Sequence, residues 1–315
     1  MAFRYINPGY GALTGNSSVT TIESFIYNPQ NGVSFDIVQT EAKNLNVPLP
    51  QNFSNDIYGK FNLYLSSSAS TANYFSLGAP STKSTSYPDY KCLGVTIYNS
   101  AVYLLDGKGN RIGTGISLLP NVLNKIWFHL HKGDDNASTY CELIVNDSES
   151  NVDNIYLEPF SSDKYFIIYN NNSSTYSKYL SELIISDEYI SPREKIVALP
   201  IDTTETTMTA GANGIYIADA VNQTLLQTPD VDTLLTEYGA TSQVTGIALV
   251  GNPAYRNGEG ISSLIGLSKA NGVITEHDSC TLDTVSSAVI IDGWSLSNMT
   301  INDLQNMQFG WKAGT

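Results

Sequence analysis

From Gly32 onward, short runs of residues alternate between apolar and polar side chains. Val33, Phe35 and Ile37 alternate with Ser34 and Asp36, and Phe61, Leu63 and Leu65 with Lys60, Asn62 and Tyr64. A period of two is the pattern of a strand with one buried face. The same reading predicts strands at Tyr74–Leu77 and at Lys91–Tyr98, the latter with Leu93, Val95 and Ile97 on one face. Ala101–Leu105 runs into the hairpin-turn residues Asp106-Gly-Lys-Gly-Asn110. Ile126–Lys132 places Ile126, Phe128 and Leu130 on one face and Trp127, His129 and His131 on the other. Tyr140–Asn146 points Cys141, Leu143 and Val145 inward and ends at an Asn146-Asp147 turn. Tyr165–Tyr169 and Leu180–Ser186 bring this series to about nine or ten strands, the pattern of a β-sandwich or jelly roll.

Ile190–Val197 reads as a charged, locally helical piece, with Pro192 at the first helical position after a Ser191 cap. The Thr-rich stretch that follows places a boundary near residue 200. Beyond it, Gly214–Ala218 reads as a strand. Asp230–Tyr238 reads as a short helix capped by Asp230 and stopped by Gly239. Val244–Val250, apolar nearly throughout, predicts a strand buried on both faces. Asn271-Gly272 joins Ser262–Lys269 to Val273–Glu276 as a hairpin. At the chain's end, Thr300 caps a single turn containing Asp303, and Met307, Phe309 and Trp311 share one face of a final strand placed inside its sheet.

Composition agrees with an all-β chain. Of 315 residues, 20 are Tyr and only 15% are charged. The abundant Tyr and Thr favour strands, while Asn, Ser and Gly favour turns. The length suggests two domains. Three segments result: an N-terminal arm at 1–32, rich in turn residues, a β-sandwich at 33–198, and a smaller C-terminal β-sandwich at 199–315. A formal charge of −14 argues against a nucleic-acid partner and against anionic membrane surfaces, and no run reaches the roughly 18 apolar residues of a membrane span, so no membrane insertion is expected. Cys92, Cys141 and Cys280 are odd in number and widely spaced, so no disulfide framework or Cys-x-x-Cys metal site is expected. No signal peptide is legible after Met1, which points to folding in a cytoplasm.

Candidate chemistry is sparse. His129 and His131 leave one strand face together, as two metal ligands would, but no third ligand stands at an obvious spacing, and neither metal nor cofactor is expected. Glu276-His-Asp278 resembles the start of a glucanase carboxylate motif without its second Glu, so no catalytic residues are assigned. Asp106–Asn110 and Asp134-Asp135-Asn136 are oxygen-rich, as hairpin loops also are for backbone reasons. Tyr offers a flat face to a sugar ring and Asn adds donors and acceptors. That combination makes Tyr87 and Tyr90, and Tyr169, Asn170, Asn171 and Tyr176, the candidate ligand-binding residues.

Two resemblances follow from particular residues. Trp127, the 133–138 loop, Val145-Asn146-Asp147 and Tyr179–Ser186 resemble the concanavalin or laminin-G jelly roll, over roughly residues 33–190; that family often has Asp-Asp where this chain has Ser181-Glu182. Trp294, Asp303, Leu304, Met307, Gln308, Gly310 and Lys312 are similar to the terminal β-sandwich domain of phage tail and virion proteins. Together they imply a non-enzymatic phage virion protein of the tail or its fibres, made in the host cytoplasm and located in the virion. Its implied partners are other virion proteins and a host-surface glycan, and its implied assembly is a homotrimer. The alternative is a bacterial surface or secreted carbohydrate-binding protein, with a glycoside hydrolase as a third and weaker reading.

Overall fold

The structure, a computed structural model, describes residues 55–63, 94–106, 108–155, 182–197, 199–212, 215–249, 260–282 and 293–315 with their side chains, and the strands elsewhere by backbone pairing alone. The chain is all-β, with two short helices among the described residues, and it divides into two compact units, Met1–Ile196 and Val197–Thr315. Among the described residues no helix is long and apolar enough to cross a membrane.

The first unit contains β1 (Arg4–Asn7), β2 (Thr14–Gly15), β3 (Thr20–Ile22), β4 (Ser34–Asp36), β5 (Lys43–Pro48), β6 (Asp56–Leu65), β7 (Phe75–Pro80) and β8 (Cys92–Tyr98). It continues with β9 (Ala101–Leu105), β10 (Arg111–Ser117), β11 (Leu123–His131), β12 (Tyr140–Val145), β13 (Ser148–Asp153), β14 (Tyr165–Asn170) and β15 (Lys178–Ser186). One sheet runs β13-β12-β11-β6-β15-β4-β3, with β1 also pairing β15, and the other runs β10-β9-β8-β7-β14-β5-β2. All pairings are antiparallel, and the chain crosses repeatedly between the sheets, as in a jelly roll.

The alternation read from the sequence explains why the sheets stack. Ile57, Phe61 and Leu63 on β6, Ile126, Phe128 and Leu130 on β11, and Cys141, Leu143 and Val145 on β12 meet Val95, Ile97, Val102 and Leu104 of the facing sheet in one core. Each such side chain contributes about 1.5–3 kcal/mol on full burial. Gly59 makes room for this packing, because a Cβ there would overlap the Phe128 ring. Burial also pushes the Cys141 thiol far up, so it behaves as an inert packing group.

β10 and β13 are absent from the sequence reading. Each ends its sheet, and Arg111–Ser117 and Ser148–Asp153 carry few apolar residues because an edge strand has little to bury. Within residues 1–32, which the sequence reading treats as an arm, β1 pairs with β15 from Arg4 opposite Ser186 to Asn7 opposite Leu183. β2 and β3 likewise pair with β5 and β4. These three segments belong to the sandwich's sheets by their backbone bonds.

Ser191–Val197 is a single turn and not a helix. The Glu194 N–H donates to the Ser191 carbonyl and the Ser191 N–H to the Glu194 carboxylate, closing the turn locally with no apolar stripe to extend it. Val244–Leu249 is half-buried and not enclosed. It lies in a two-stranded ribbon, which has a packing partner on one side only.

The second unit contains β16 (Ile201–Thr206), β17 (Thr209–Ala210), β18 (Tyr216–Ile217), β19 (Thr224–Pro229), α1 (Asp232–Tyr238), β20 (Gln243–Ala254) and β21 (Ser263–Ala270). It ends with β22 (Val273–Thr281), β23 (Ala288–Thr300), α2 (Ile301–Leu304) and β24 (Met307–Gly314). β24 is the middle strand of a five-stranded sheet ordered β16-β19-β24-β21-β22. The β20–β23 ribbon and both helices cover one face of it, giving a small two-layer sandwich. Trp294, Ile301, Leu304, Met307 and Phe309 form its core with Val231 and Leu234. The Asn271-Gly272 turn has φ of 51° and 79°, as a two-residue hairpin loop requires. Thr300 and Asp303 form the reciprocal capping box, while Asp230 accepts from the Asp232 N–H at 3.0 Å.

Candidate functional site

Because side chains alternate, the residues of β6, β11 and β12 that do not enter the core face outward together. β11 lies between β6 and β12, and its register sets His131 opposite both Asp56 and Tyr140, and His129 opposite both Tyr58 and Glu142. Cross-strand neighbours of this kind stand within side-chain reach of one another. The result is a cluster of two carboxylates, two imidazoles and two phenols on one sheet face.

Its geometry is tight. Asp56 Oδ1 lies 2.7 Å from His129 Nε2 and 2.8 Å from His131 Nδ1. The other ring nitrogen of His129, Nδ1, lies 2.9 Å from Glu142 Oε2. The Tyr58 ring stacks on His129 with centroids 4.1 Å apart and planes within 12°, and Tyr140 stacks on His131 at 4.7 Å and 20°. His129 is only 5% exposed, whereas the side chains of Asp56 and Glu142 retain 33% and 39% exposure. The buried ring is therefore held by groups that reach solvent.

Burial alone would raise the Asp56 carboxyl. The hydrogen bonds and charge of His131 and His129 outweigh it and hold the group below its ordinary range. Burial, together with the Asp56 charge, pushes the phenols of Tyr58 and Tyr140 up, so both remain protonated at neutral pH.

The cluster continues into an aromatic ledge. Trp127 Nε1 donates to the Ile190 carbonyl at 2.7 Å, tying the segment after β15 to the sheet. This places Tyr189, 64% exposed, edge-on to Tyr58 at 5.8 Å and to Trp127 at 6.4 Å. Beside it, Lys60 is almost fully covered; burial lowers its ammonium, opposed by the charges of Glu182 and Glu194. The face therefore offers an exposed ring, carboxylate acceptors and a set of N and O metal-ligand atoms.

The other residues singled out in the sequence fall elsewhere. Tyr87, Tyr90, Asn171 and Tyr176 lie outside the described residues, and so do the side chains of Tyr169 and Asn170, whose backbone pairs with β5 and β7. Glu276 sits on the sheet-edge strand β22 and pairs with Lys312 Nζ at 2.6 Å. Asp106 Oδ1 accepts from the N–H groups of Lys108 and Asn110, closing its own loop. Asp135 Oδ1 accepts from the backbone and hydroxyl of Ser138, bonds that hold its carboxyl low. The sequence reading found His129 and His131 without a third partner; the structure supplies Asp56. It also missed Tyr58, Tyr140, Glu142 and Tyr189. The signal for the first three was the alternation around Ile57 and Cys141, which becomes a cluster only once strand register is known.

No protein-family model matches the chain, and no curated protein matches it. Among solved structures, the potassium-bound carbohydrate recognition domain of Emp46p is similar at 11% identity over 55% of this chain and 89% of that one, with a TM-score of 0.39. A protein of unknown function from Shewanella oneidensis MR-1 is similar at 10% identity over 59% and 84%, with a TM-score of 0.45. The alginate lyase vAL-1 from a Chlorella virus is similar at 9% identity over 56% and 93%, with a TM-score of 0.39. The jelly roll of the first unit is defined by its own two antiparallel sheets.

Proposed function

We propose that this chain is a non-enzymatic, glycan-recognising protein that forms part of a phage particle, in the tail or its fibres. Glycan recognition is carried by the exposed Tyr189 ring standing beside Tyr58 and Trp127, with the carboxylates of Asp56 and Glu142 open to solvent on the same face. An aromatic plane flanked by acceptors matches a sugar, which has an apolar ring face and a rim of hydroxyl donors. One stacking contact contributes on the order of 1 kcal/mol, so useful affinity comes from several copies engaging together. Assembly as a homotrimer with other virion proteins supplies those copies.

The virion setting is supported by the terminal motif, whose Trp294, Leu304 and Met307 pack in one core. A bacterial surface or secreted carbohydrate-binding protein would use the same ledge in another setting. The absence of catalysis is supported by the carboxylates' engagements: Asp56 and Glu142 with His129, and Glu276 with Lys312. The test is a polysaccharide panel that includes uronic-acid polymers, assayed for retention and for cleavage. Retention without turnover is expected; turnover that is lost in Glu142→Gln or Glu276→Gln would overturn the non-enzymatic reading. Host-cell adsorption by particles carrying Tyr169→Ala with Tyr176→Ala tests whether the candidate residues at and after the end of β14 also contribute.

A further inference from the structure

We propose that Asp56, His129 and His131 bind one divalent first-row transition-metal ion, of the zinc class, through Asp56 Oδ1, His129 Nε2 and His131 Nδ1. The inference does not depend on glycan recognition. One ligand atom from each of the three residues lies within 4.8 Å of the other two. A carboxylate oxygen 2.7 Å and 2.8 Å from two imidazole nitrogens is held by ring N–H donors, whose place a metal ion can take. Ligand atoms about 2.0–2.2 Å from a tetrahedral ion stand roughly 3.3–3.6 Å apart, so these contacts open by about half an ångström or slightly more when the ion enters.

The surroundings favour the ion in three ways. First, Glu142 Oε2 lies 2.9 Å from His129 Nδ1, placed to accept that nitrogen's proton when Nε2 ligates an ion. A carboxylate on the far nitrogen of a ligating imidazole fixes the tautomer and raises its basicity. Second, Tyr58 and Tyr140 stack flat on the two imidazoles and fix their planes, so little ligand entropy is lost on binding. Third, the side chains of Asp56 and His131 are 33% and 27% exposed, which leaves an entry path and room for water ligands. Two imidazoles and one carboxylate suit zinc, cobalt, nickel or iron(II), and not calcium or magnesium, which prefer all-oxygen sites.

The placement also follows from the fold. His129 and His131 are two apart on β11 and leave the same face, and Asp56 is the residue that the β6 register sets opposite His131. A one-residue slip of β6 would send Asp56 into the core and destroy the set.

The test is titration of the full chain, stripped with chelator, with Zn2+ by calorimetry and with Co2+ by visible absorbance. One equivalent should bind with micromolar or tighter affinity, with a cobalt spectrum of nitrogen and oxygen ligation and a raised melting temperature. Ca2+ should give none of these. His129 is buried, so the variants are placed at its more exposed partners. Asp56→Asn and His131→Gln should each weaken Zn2+ binding at least tenfold while the metal-free protein still unfolds cooperatively. Glu142→Gln should weaken it by about 10- to 100-fold. Absence of saturable one-to-one binding in the wild type would overturn the proposal. So would undiminished binding by folded His131→Gln, which would move the metal to His277 or a cysteine.

Discussion

Asn146 donates from Nδ2 to the side-chain oxygen of Asn124 at 2.8 Å, joining the β12–β13 turn to the start of β11. Asn124 is fully buried. Its amide also donates to the carbonyls of Leu119 and Val122, and its oxygen accepts from the Leu119 N–H at 2.8 Å. One side chain thus satisfies the loop that feeds the strand bearing His129 and His131. Asn124→Leu would remove these part-buried bonds, together with the buried one from Asn124 Nδ2 to the Leu63 carbonyl, and bring an apolar side chain to the loop's polar groups. It should cost about 2–4 kcal/mol in chemical denaturation of the first unit. Asn146→Ala, at the turn, should cost less.

A close approach in the second unit makes a sharper prediction. Gly310 lies opposite Leu226 in the middle of the sheet, and a Cβ at 310 would overlap the Leu225 carbonyl oxygen and backbone. Gly272 has φ of 79° and open space around it. Gly310→Ala should therefore cost about 3 kcal/mol or more, through strand displacement, and Gly272→Ala about 1 kcal/mol, through backbone strain alone. Denaturant midpoints of the two variants check the order; equal losses would contradict it.

His277 gives the second unit a dependence on pH. Its ring lies flat on Trp294, with centroids 3.7 Å apart and planes within 11°, and Nε2 lies 2.8 Å from the Ser268 hydroxyl. Burial lowers its pKa below 6.5, only partly opposed by Asp278. The folded state then binds fewer protons than the unfolded one, so stability rises with pH. The contribution is complete above the ordinary histidine value of about 6.5 and is lost as pH falls through that value toward the lower folded one. Urea midpoints measured from pH 7.5 to 5 should fall more steeply for the wild type than for His277→Gln. Parallel slopes would contradict this.

How far the sequence could be read depended on what each residue buries. The β6, β11 and β12 alternations were legible because each strand hides one face in a deep core, and the Thr300–Asp303 capping box and Asn271-Gly272 turn because both are local chemistry. Edge strands β10 and β13 left no trace, since Arg111–Ser117 and Ser148–Asp153 face mostly water. The Asn99-Ser100 turn, with φ of 48° and 59°, uses a pair with a weak signal. The site was half legible. His129 and His131 announce themselves by spacing, but Asp56 is 73 residues from His129 in the chain. Only the pairing of two strands brings the carboxylate to the imidazoles, and no local pattern encodes that register. Tyr189 was hidden differently, because its position depends on the long-range bond from Trp127 to Ile190.

Glycan recognition at the Tyr189 ledge is tested most directly by binding of the assembled protein to an immobilised glycan panel, comparing wild type with Tyr189→Ala at equal melting temperature. Tyr189 is 64% exposed, so its removal should leave the sandwich folded. The account predicts that the wild type is retained by at least one glycan and that each Tyr189→Ala subunit binds about fivefold more weakly, a loss amplified in the multivalent assembly. A wild type retained by no glycan, or a folded Tyr189→Ala protein retained equally well, would contradict it.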